Sequence, residues 1–312
     1  MRIIFFGSSE FSVPSLGYCL ASGHEVVAVV TTPDQPKGRG LQLQSNPVKA
    51  RSEAAGVPIY APAVLRDPSL EEKIAAHRPD AFVVVSYGKL IPSSWLKIPR
   101  EICLNIHPSL LPKHRGAAPI TWQILEGDKE TGVTIADVTK DLDAGDIFCQ
   151  IRIPLGKKET TKSLTLRLSN LATEALREVL ELVKQKKITR TPQKGESSYA
   201  RKLSKEDGLL NLNEAAELLE RKIRAFDPWP GAFIGFQKQP LRLVEADFDV
   251  AGEPQKPGLL LEVDALGYLK IQTGKGSLKI FKVQLPGRQV IAGKEFANGQ
   301  RLKPGFLFEN LR

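Results

Sequence analysis

Short runs of consecutive apolar residues constrain the fold of this chain most strongly. Ala81–Val85 is apolar at every position, and residues 2–6 and 26–30 contain a single polar side chain, that of Arg2. Strands that are apolar on both faces are covered on both faces, as they are in parallel sheets. Parallel strands need crossover connections, usually helices, so the first half predicts a doubly wound α/β domain. Residues 102–106 and 133–138 are predicted to be further strands of this sheet.

A long amphipathic helix is predicted at residues 164–183. Apolar residues recur there at spacings of three and four, which places them on one helical face, and Ser163 is the predicted N-cap. The following stretch, residues 184–207, is polar, basic and without periodicity, so it is predicted to be an extended linker. The predicted division is a first domain at 1–189, a basic linker at 190–207 and a second domain at 208–312.

The second half changes its periodicity after one amphipathic helix, which is predicted at residues 214–226. Short β-rich runs then follow at residues 259–263, 269–273 and 278–283, separated by turns that contain Gly and Pro. Many short strands with such turns are typical of small barrels. The second domain is therefore predicted to be a small β-barrel.

The chain is basic, with a formal net charge of +9. A field of this sign attracts polyanions. Residues 184–205 contain eight basic residues and one acidic residue, and residues 265–305 contain the same numbers. An ordinary solvated surface remains an alternative for each cluster. Two separate basic clusters in the second half nevertheless favour a contact with nucleic acid.

Several classes of protein and of site are disfavoured by the sequence. The chain has no apolar run of about 18 residues, and its N-terminus lacks the pattern of a signal peptide, so we expect a cytoplasmic protein without a membrane contact. Its three cysteines are widely spaced, which disfavours both a disulfide framework and a metal site. Gly7 begins no GxGxxG pattern, and Gly38-Arg39-Gly40 lacks the lysine and hydroxyl of a phosphate-binding loop.

Three polar residues suggest the chemistry of the first domain. Asn105 and His107 lie at the end of a predicted strand, and because they are two residues apart they leave it on the same face. Asp143 lies in a glycine-containing turn after the next predicted strand. A carboxamide, an imidazole and a carboxylate suit acyl transfer to an amine, as oxyanion donor, proton shuttle and orienting group. Their spacing alone leaves ordinary structural roles open for all three.

The segment at residues 105–119, NIHPSLLPKHRGAAP, resembles the signature of the formyltetrahydrofolate-dependent formyltransferases. Four other segments resemble motifs of the members of that family that act on methionyl-tRNA. They are FGSSEFSVP at 6–14, YARKLSKED at 199–207, IRAFDPWPGA at 223–232 and GQRLKPG at 299–305. The resemblance extends over essentially the whole chain.

This resemblance implies a Rossmann-like formyltransferase domain followed by an OB-like barrel that binds tRNA. It implies an enzyme that uses 10-formyltetrahydrofolate as co-substrate and formylates methionine on initiator tRNA for translation initiation. We expect this enzyme to act without a metal and, because the sequence shows no exposed heptad and no large apolar helix face, as a monomer. The implied catalytic set is Asn105, His107 and Asp143. The implied folate-binding residues are Ser109, Leu110, Leu111, Pro112, Gly88 and Leu90. With the basic clusters, it predicts tRNA contacts at Lys37, Arg39, Lys186, Lys202, Lys205, Arg301 and Lys303.

The chain departs from the family pattern at a few positions. Leu41 and Gln42 stand in the loop after Gly40, where the family commonly has basic residues, and Arg201 stands where proline is common. Residues 139–141, Thr-Lys-Asp, also differ from the usual residues before the catalytic aspartate. Two alternatives remain. One is a folate-dependent enzyme that formylates an amino sugar nucleotide or hydrolyses formyl-folate, and the other is a nonenzymatic RNA-binding protein with a degenerate α/β domain.

Overall fold

The computed structural model describes residues 1–37, 42–253 and 255–311. The chain divides into two compact units. The first contains Met1–Pro119, Glu130–Pro154 and Thr165–Arg201, and the second contains Ile120–Lys129, Leu155–Leu164 and the chain from Lys202 onward. Two segments that the sequence assigns to the first domain, residues 120–129 and 155–164, therefore cluster with the second unit. The boundaries at 189 and 208 stay a prediction.

The first unit holds eleven strands among its described residues. They are β1 (Arg2–Gly7), β2 (Glu25–Val30), β3 (Gln35–Lys37), β4 (Gln42–Gln44), β5 (Ile59–Tyr60), β6 (Ala81–Val85), β7 (Ile102–His107), β8 (Arg115–Gly116), β9 (Glu130–Asp137), β10 (Ile147–Pro154) and β11 (Tyr199–Ala200). Its helices are α1 (Val13–Ala21), α2 (Pro47–Ala54), α3 (Pro68–Ala76) and most of α5 (Thr161–Lys184), while α4 (Pro119–Glu126) lies almost entirely in the second unit.

Seven of these strands form one sheet in the order β10-β9-β7-β6-β1-β2-β5. The five strands from β7 to β5 run parallel, and every residue of β6 is buried. This confirms the doubly wound α/β domain that the apolar runs predict. At the other edge, β9 runs antiparallel to β7, and β10 runs antiparallel to β9. A connection of nine residues, 138–146, is too short for a crossover, so β9 and β10 must pair as a hairpin.

The long helix α5 begins one turn earlier than predicted. The backbone N–H of Thr160 donates to Ser163 Oγ over 3.0 Å, and the backbone N–H of Ser163 donates to Thr160 Oγ1 over 3.2 Å. Thr160 is therefore the N-cap, and the prediction of Ser163 in that position is wrong. The apolar periodicity starts at Leu164, whereas the first turn of the helix is polar and carries no periodic signal.

The segment after α5 packs along the first unit, and we call residues 185–201 the strap. Within it, Thr191 exchanges two backbone hydrogen bonds with Ile147, at 2.8 and 2.9 Å. Further along, β11 pairs in parallel with β8. The strap lacks periodicity, as predicted, but its ordered backbone pairings distinguish it from a free linker.

The second unit is built around an antiparallel sheet. Its strands are β12 (Ala232–Phe236), β13 (Gln239–Asp249), β14 (Leu260–Val263), β15 (Leu269–Gln272), β16 (Ser277–Gln284) and β17 (Ile291–Ala292), and its further helices are α6 (Ala216–Ala225) and α7 (Gly293–Gly299). Strands β12, β13, β16, β15 and β14 pair in that order. Leu307 bridges to Leu259 beside β14, and Glu309 bridges to Gly235 of β12. The C-terminal segment thus joins the two sheet edges and closes the predicted barrel.

The core of this barrel is lined by apolar residues of α6, the sheet strands and α7. The ring centroids of Phe236 and Phe296 lie 4.9 Å apart in an edge-to-face arrangement, and both rings are buried.

Across the described parts of the chain, no helix combines the length and the apolar character needed to cross a bilayer.

Candidate active site

Asn105 and His107 lie at the C-terminal end of β7, and both side chains face Asp143. Asn105 Nδ2 donates to Asp143 Oδ1 over 3.0 Å, and His107 Nδ1 lies 3.6 Å from the same oxygen. The side chains of His107 and Asp143 are 5% and 7% exposed. The i and i+2 spacing therefore brings the amide and the imidazole to one carboxylate, as the strand geometry predicts.

Asp143 lies in the loop at residues 138–146, which we call the Asp143 loop. The backbone of Asp143 is in the left-handed region, with φ of 52°. The Gly116 N–H donates to Asp143 Oδ2 over 2.8 Å. Gly145 is required where this loop folds back, because a Cβ atom there would lie 1.9 Å from the carbonyl oxygen of Asp137. The antiparallel β9 leads the chain away from β7's C-terminal end, and this fold-back returns Asp143 to Asn105.

The hydrogen bonds of His107 determine which ring nitrogen carries its proton. Nε2 lies 2.9 Å from the backbone carbonyl oxygen of His114. A carbonyl only accepts, so Nε2 is the protonated nitrogen of the neutral ring. Nδ1 then presents its lone pair towards Asp143, at a distance beyond hydrogen bonding. The imidazole is therefore hydrogen-bonded to the backbone at His114, whereas Asp143, which was predicted to orient the ring, lies beyond hydrogen-bond distance from it.

The predicted folate-binding segment after β7 is held in place by Thr134 of β9. Thr134 Oγ1 donates to the Ser109 carbonyl over 2.7 Å and accepts from the Leu111 N–H over 3.2 Å. Gln150 Nε2 also donates to Thr134 Oγ1 and to the Leu111 carbonyl, over 2.9 and 3.0 Å. Ser109 itself donates its hydroxyl to the Lys113 carbonyl over 2.7 Å. Ser109 and Leu111 are buried, so the partly exposed surface of this segment belongs to Leu110 and Pro112.

Sequence reasoning missed the roles of Thr134 and Gln150. The signal for Thr134 was a hydroxyl within the apolar run of β9, where all of its neighbours from Thr131 to Ala136 are buried. Gln150 gave no such signal, because β10 alternates between exposed and partly buried residues at its outer edge.

The second predicted folate-binding loop follows β6, the neighbour of β7 in the sheet. Gly88 has φ of 80°, a conformation that favours glycine, and Leu90 exposes 69% of its surface. Between β6 and Gly88, Tyr87 is buried, which raises the pKa of its phenol to about 12. Ser8, beyond the end of β1, donates its hydroxyl to the Ser86 carbonyl over 3.0 Å. The loops after β1, β6 and β7 therefore all lie at the carboxyl ends of the parallel strands, where open α/β sheets bind ligands.

The predicted tRNA-binding residues lie on exposed segments in both units. The exposed residues are Lys186 at the start of the strap, Lys202 and Lys205 after it, and Arg301 and Lys303 after α7. Arg39 lies outside the described residues. Lys37 is the last residue of β3, and its side chain is likewise not described.

Much of the positive charge on the barrel is paired. Lys270 and Lys279 contact the two oxygens of Asp249 at 3.0 and 2.7 Å, and Lys282 contacts Glu245 at 2.7 Å. The hydrogen bond from Lys279 lowers the pKa of Asp249, and the same bond raises the pKa of Lys279. The unpaired charge of this cluster is therefore smaller than the sequence total suggests.

Comparisons with known proteins identify the family of this chain. The family model described as formyl transferase matches residues 1–180, and the model described as formyl transferase, C-terminal domain, matches residues 202–301. Methionyl-tRNA formyltransferase of Geobacter sulfurreducens is 41% identical over 306 residues, covering 98% of this chain and 96% of the relative. The protein of that name from Hydrogenovibrio crunogenus is 40% identical over 303 residues, covering 97% of each.

Two solved structures share the fold at lower sequence identity. The N-formyltransferase of Helicobacter canadensis, in complex with folinic acid and dTDP-3-aminofucose, has a TM-score of 0.68 at 17% identity, covering 90% of this chain and 98% of that one. HypX of Aquifex aeolicus in complex with tetrahydrofolic acid has a TM-score of 0.62 at 21% identity, covering all of this chain and 51% of that one.

The curated relatives match nearly the full length of the chain at identities far above those of the solved structures. The segments that carry Asn105, His107 and Asp143 lie within the first family model. This chain belongs to the formyl transferase family, among its methionyl-tRNA formyltransferases.

Proposed function

We propose that this chain transfers the formyl group of 10-formyltetrahydrofolate to the α-amino group of methionine on initiator tRNA. The observation that carries the proposal is the convergence of Asn105 and His107 on Asp143, in a chain aligned over 98% of its length with a methionyl-tRNA formyltransferase. An amide donor, an imidazole with a free lone pair and a buried carboxylate are the groups that acyl transfer to an amine requires.

Asn105 provides the oxyanion donor in this proposal. One N–H of its Nδ2 group is donated to Asp143, which orients the amide, and the described residues provide no partner for the other. When the α-amine attacks the formyl carbon, the new C–N bond forms and the formyl oxygen becomes negatively charged. The second N–H of Asn105 stabilises that oxygen.

His107 provides the proton transfer. The N–H at Nε2 is donated to the His114 carbonyl, so Nδ1 is the nitrogen that can accept a proton. Nδ1 accepts the proton that the amine loses as the tetrahedral intermediate forms. Asp143, 3.6 Å away, stabilises the resulting imidazolium. As the bond between the formyl carbon and N10 of the folate breaks, His107 returns this proton to N10, directly or through a water. The atoms balance with formyl-methionyl-tRNA and tetrahydrofolate as products.

The two loops at the ends of β6 and β7 suit a folate. Leu90 offers an exposed apolar side chain, and Gly88 and the partly exposed Leu110 lie in the loops that follow the adjacent strands β6 and β7. A flat heterocycle requires apolar surface of this kind. We propose that the exposed lysines and arginines described above, among them Lys186 of the strap, contact tRNA phosphates. Translation initiation places the enzyme in the cytoplasm, and we propose that it acts there as a monomer.

The proposal is tested by formyl transfer from radiolabelled 10-formyltetrahydrofolate to purified charged tRNAs. Methionyl initiator tRNA is compared with methionyl elongator tRNA, and we expect label on the initiator. Consumption of formyl-folate without label on either tRNA would contradict the proposed acceptor and direct attention to amino sugar nucleotides or water. Binding of RNA without any affinity for folate would contradict the enzyme itself.

A further inference from the structure

The Asp143 loop is held at several points by the strap, although the two are about fifty residues apart in the sequence. Arg190 Nη1 lies 3.5 Å from Oδ2 of Asp137, which directly precedes the loop. The Arg190 guanidinium also lies over the ring of Phe148, 5.6 Å from the ring centroid. Thr191 pairs with Ile147 just after the loop. The strap therefore contacts both ends of the segment that carries Asp143.

Gln193 contacts the middle of this loop. Its Nε2 donates to the carbonyl of Asp143 and to the carbonyl of Gly145, each over 2.8 Å. Its Oε1 accepts from Arg115 Nη2 over 2.6 Å. Carbonyls only accept and a guanidinium only donates, so the orientation of the Gln193 amide is unambiguous. A glutamate of the same shape has no hydrogen to donate to the two carbonyls.

The strap also reaches the carboxylate of Asp143 through a second route. Arg115 and Gly116 form β8, which pairs with Tyr199 and Ala200 of the strap. The Gly116 N–H donates to Asp143 Oδ2. Gln193 thus holds the backbone of Asp143, while β11 holds the strand that binds its carboxylate.

We propose that Gln193 is a positioning residue for formyl transfer, which holds Asp143 at its distance from His107 through the backbone of the Asp143 loop. This inference rests on the proposed function. Asp143 has φ of 52°, which L-residues adopt rarely, so its conformation depends on such external contacts. The strap connects the segments matched by the two family models, and it completes the catalytic site of the first.

The test compares Gln193→Ala and Gln193→Glu with Gln185→Ala as a matched control. Gln185 is an exposed glutamine of the same strap whose amide donates to the side chain of Glu181. We expect kcat for formyl transfer to fall about ten- to a hundredfold in both Gln193 variants, because displaced catalytic groups have effects of this size. The KM values for folate and tRNA should stay within about twofold, and Gln185→Ala should behave as wild type.

A second readout follows Asp143 without requiring any substrate. Hydrogen exchange at the Gly116 amide, measured by NMR, reports whether Asp143 Oδ2 still accepts its hydrogen bond. We expect exchange at least about fivefold faster in Gln193→Glu, as for the loss of one hydrogen bond. If Gln193→Ala does not fold, Gln193→Glu carries the test, because it keeps the volume of the side chain.

Unchanged kcat in Gln193→Glu would overturn the inference. A raised KM for tRNA at unchanged kcat in the Gln193 variants would also overturn it, because Gln193 would then act in binding and not in positioning Asp143. If the wild-type protein transfers no formyl group to tRNA, the proposed function fails. Exchange at Gly116 still decides whether Gln193 holds Asp143, and an unchanged rate would overturn that as well.

Discussion

The proposed catalytic cluster of the first unit (Asn105, His107 and Asp143) and the basic surface of the barrel use charge in different ways. At Asp143 one carboxylate is almost fully buried, and both of its oxygens accept hydrogen bonds from groups fixed in the backbone or on a strand. On the barrel, Lys270 and Lys279 share the partly exposed Asp249. In the first region function depends on the position of single atoms, and in the second it depends on a sum of screened charges.

This difference sets the scale on which each region responds to substitution. A preorganised donor in a water-poor site acts on one transition-state charge, so its loss has a large effect on the rate. An exposed ion pair contributes little, because solvent and salt screen it. The predictions below follow this contrast from the largest expected effect to the smallest.

Removal of the oxyanion donor tests the catalytic cluster most directly. We expect Asn105→Ala to lower kcat about 10²- to 10³-fold, or roughly 3 to 4 kcal/mol in activation free energy. The free energy of unfolding should fall by about 1 to 3 kcal/mol, because the buried Asp143 Oδ1 loses a hydrogen-bond donor. Steady-state formyl transfer and calorimetry measure the two quantities. A loss of tenfold or less would contradict the role of Asn105. The expected difference between large effects in this cluster and small effects on the barrel would then be absent.

The fold-back of the Asp143 loop tests whether position alone governs this region. In Gly145→Ala the new Cβ would lie 1.9 Å from the Asp137 carbonyl oxygen, so the loop must move. We expect kcat to fall about a hundredfold, because a displacement of about 1 Å has effects of that order. Gly17→Ala is the control, since a Cβ in α1 meets nothing within 4 Å, and it should keep full activity. Equal activities of the two variants would contradict the requirement.

Much of the first unit could be predicted from its apolar runs, because burial on both faces leaves a local signature. Ala81–Val85 is a strand with the predicted bounds, and α5 differs from its predicted start by one polar turn. The antiparallel direction of β9 could not be predicted from its own residues. Burial on both faces looks the same in either direction, so the direction depends on the connections.

The candidate site was predictable only where its residues share one element. Asn105 and His107 are two residues apart on one strand, so their common face follows from strand geometry. Gln193 lies in a polar segment without periodicity, fifty residues from Asp143, and only the folded chain brings them together. The carbonyl of His114 was also beyond prediction, because no sequence pattern reports a backbone acceptor.

The hydrogen bonds beneath the predicted folate-binding segment provide an intermediate test. Thr134→Val keeps the shape of the side chain but leaves the Leu111 N–H and the Ser109 carbonyl without their buried partner. We expect the free energy of unfolding to fall by about 1 to 3 kcal/mol, with a raised KM for folate. Thr134→Ser retains the hydroxyl and should recover most of both losses. A destabilised Thr134→Ser with a stable Thr134→Val would instead show that the methyl group matters.

The smallest expected effect separates two lysines of the barrel cluster. Lys279 is held by Asp249 at 2.7 Å, whereas the described residues form no ion pair with the exposed Lys303. Since an ammonium that is already paired must break that contact to reach a phosphate, Lys303→Ala should weaken tRNA binding more than Lys279→Ala. We expect Lys303→Ala to lower the slope of log Kd against log salt by about one unit and Lys279→Ala by less than about half a unit.

Binding titrations at several salt concentrations measure both slopes. Lys238→Ala, in the turn between β12 and β13, is the control outside the cluster. Equal slopes for all three variants would mean that the barrel charges act only through their total.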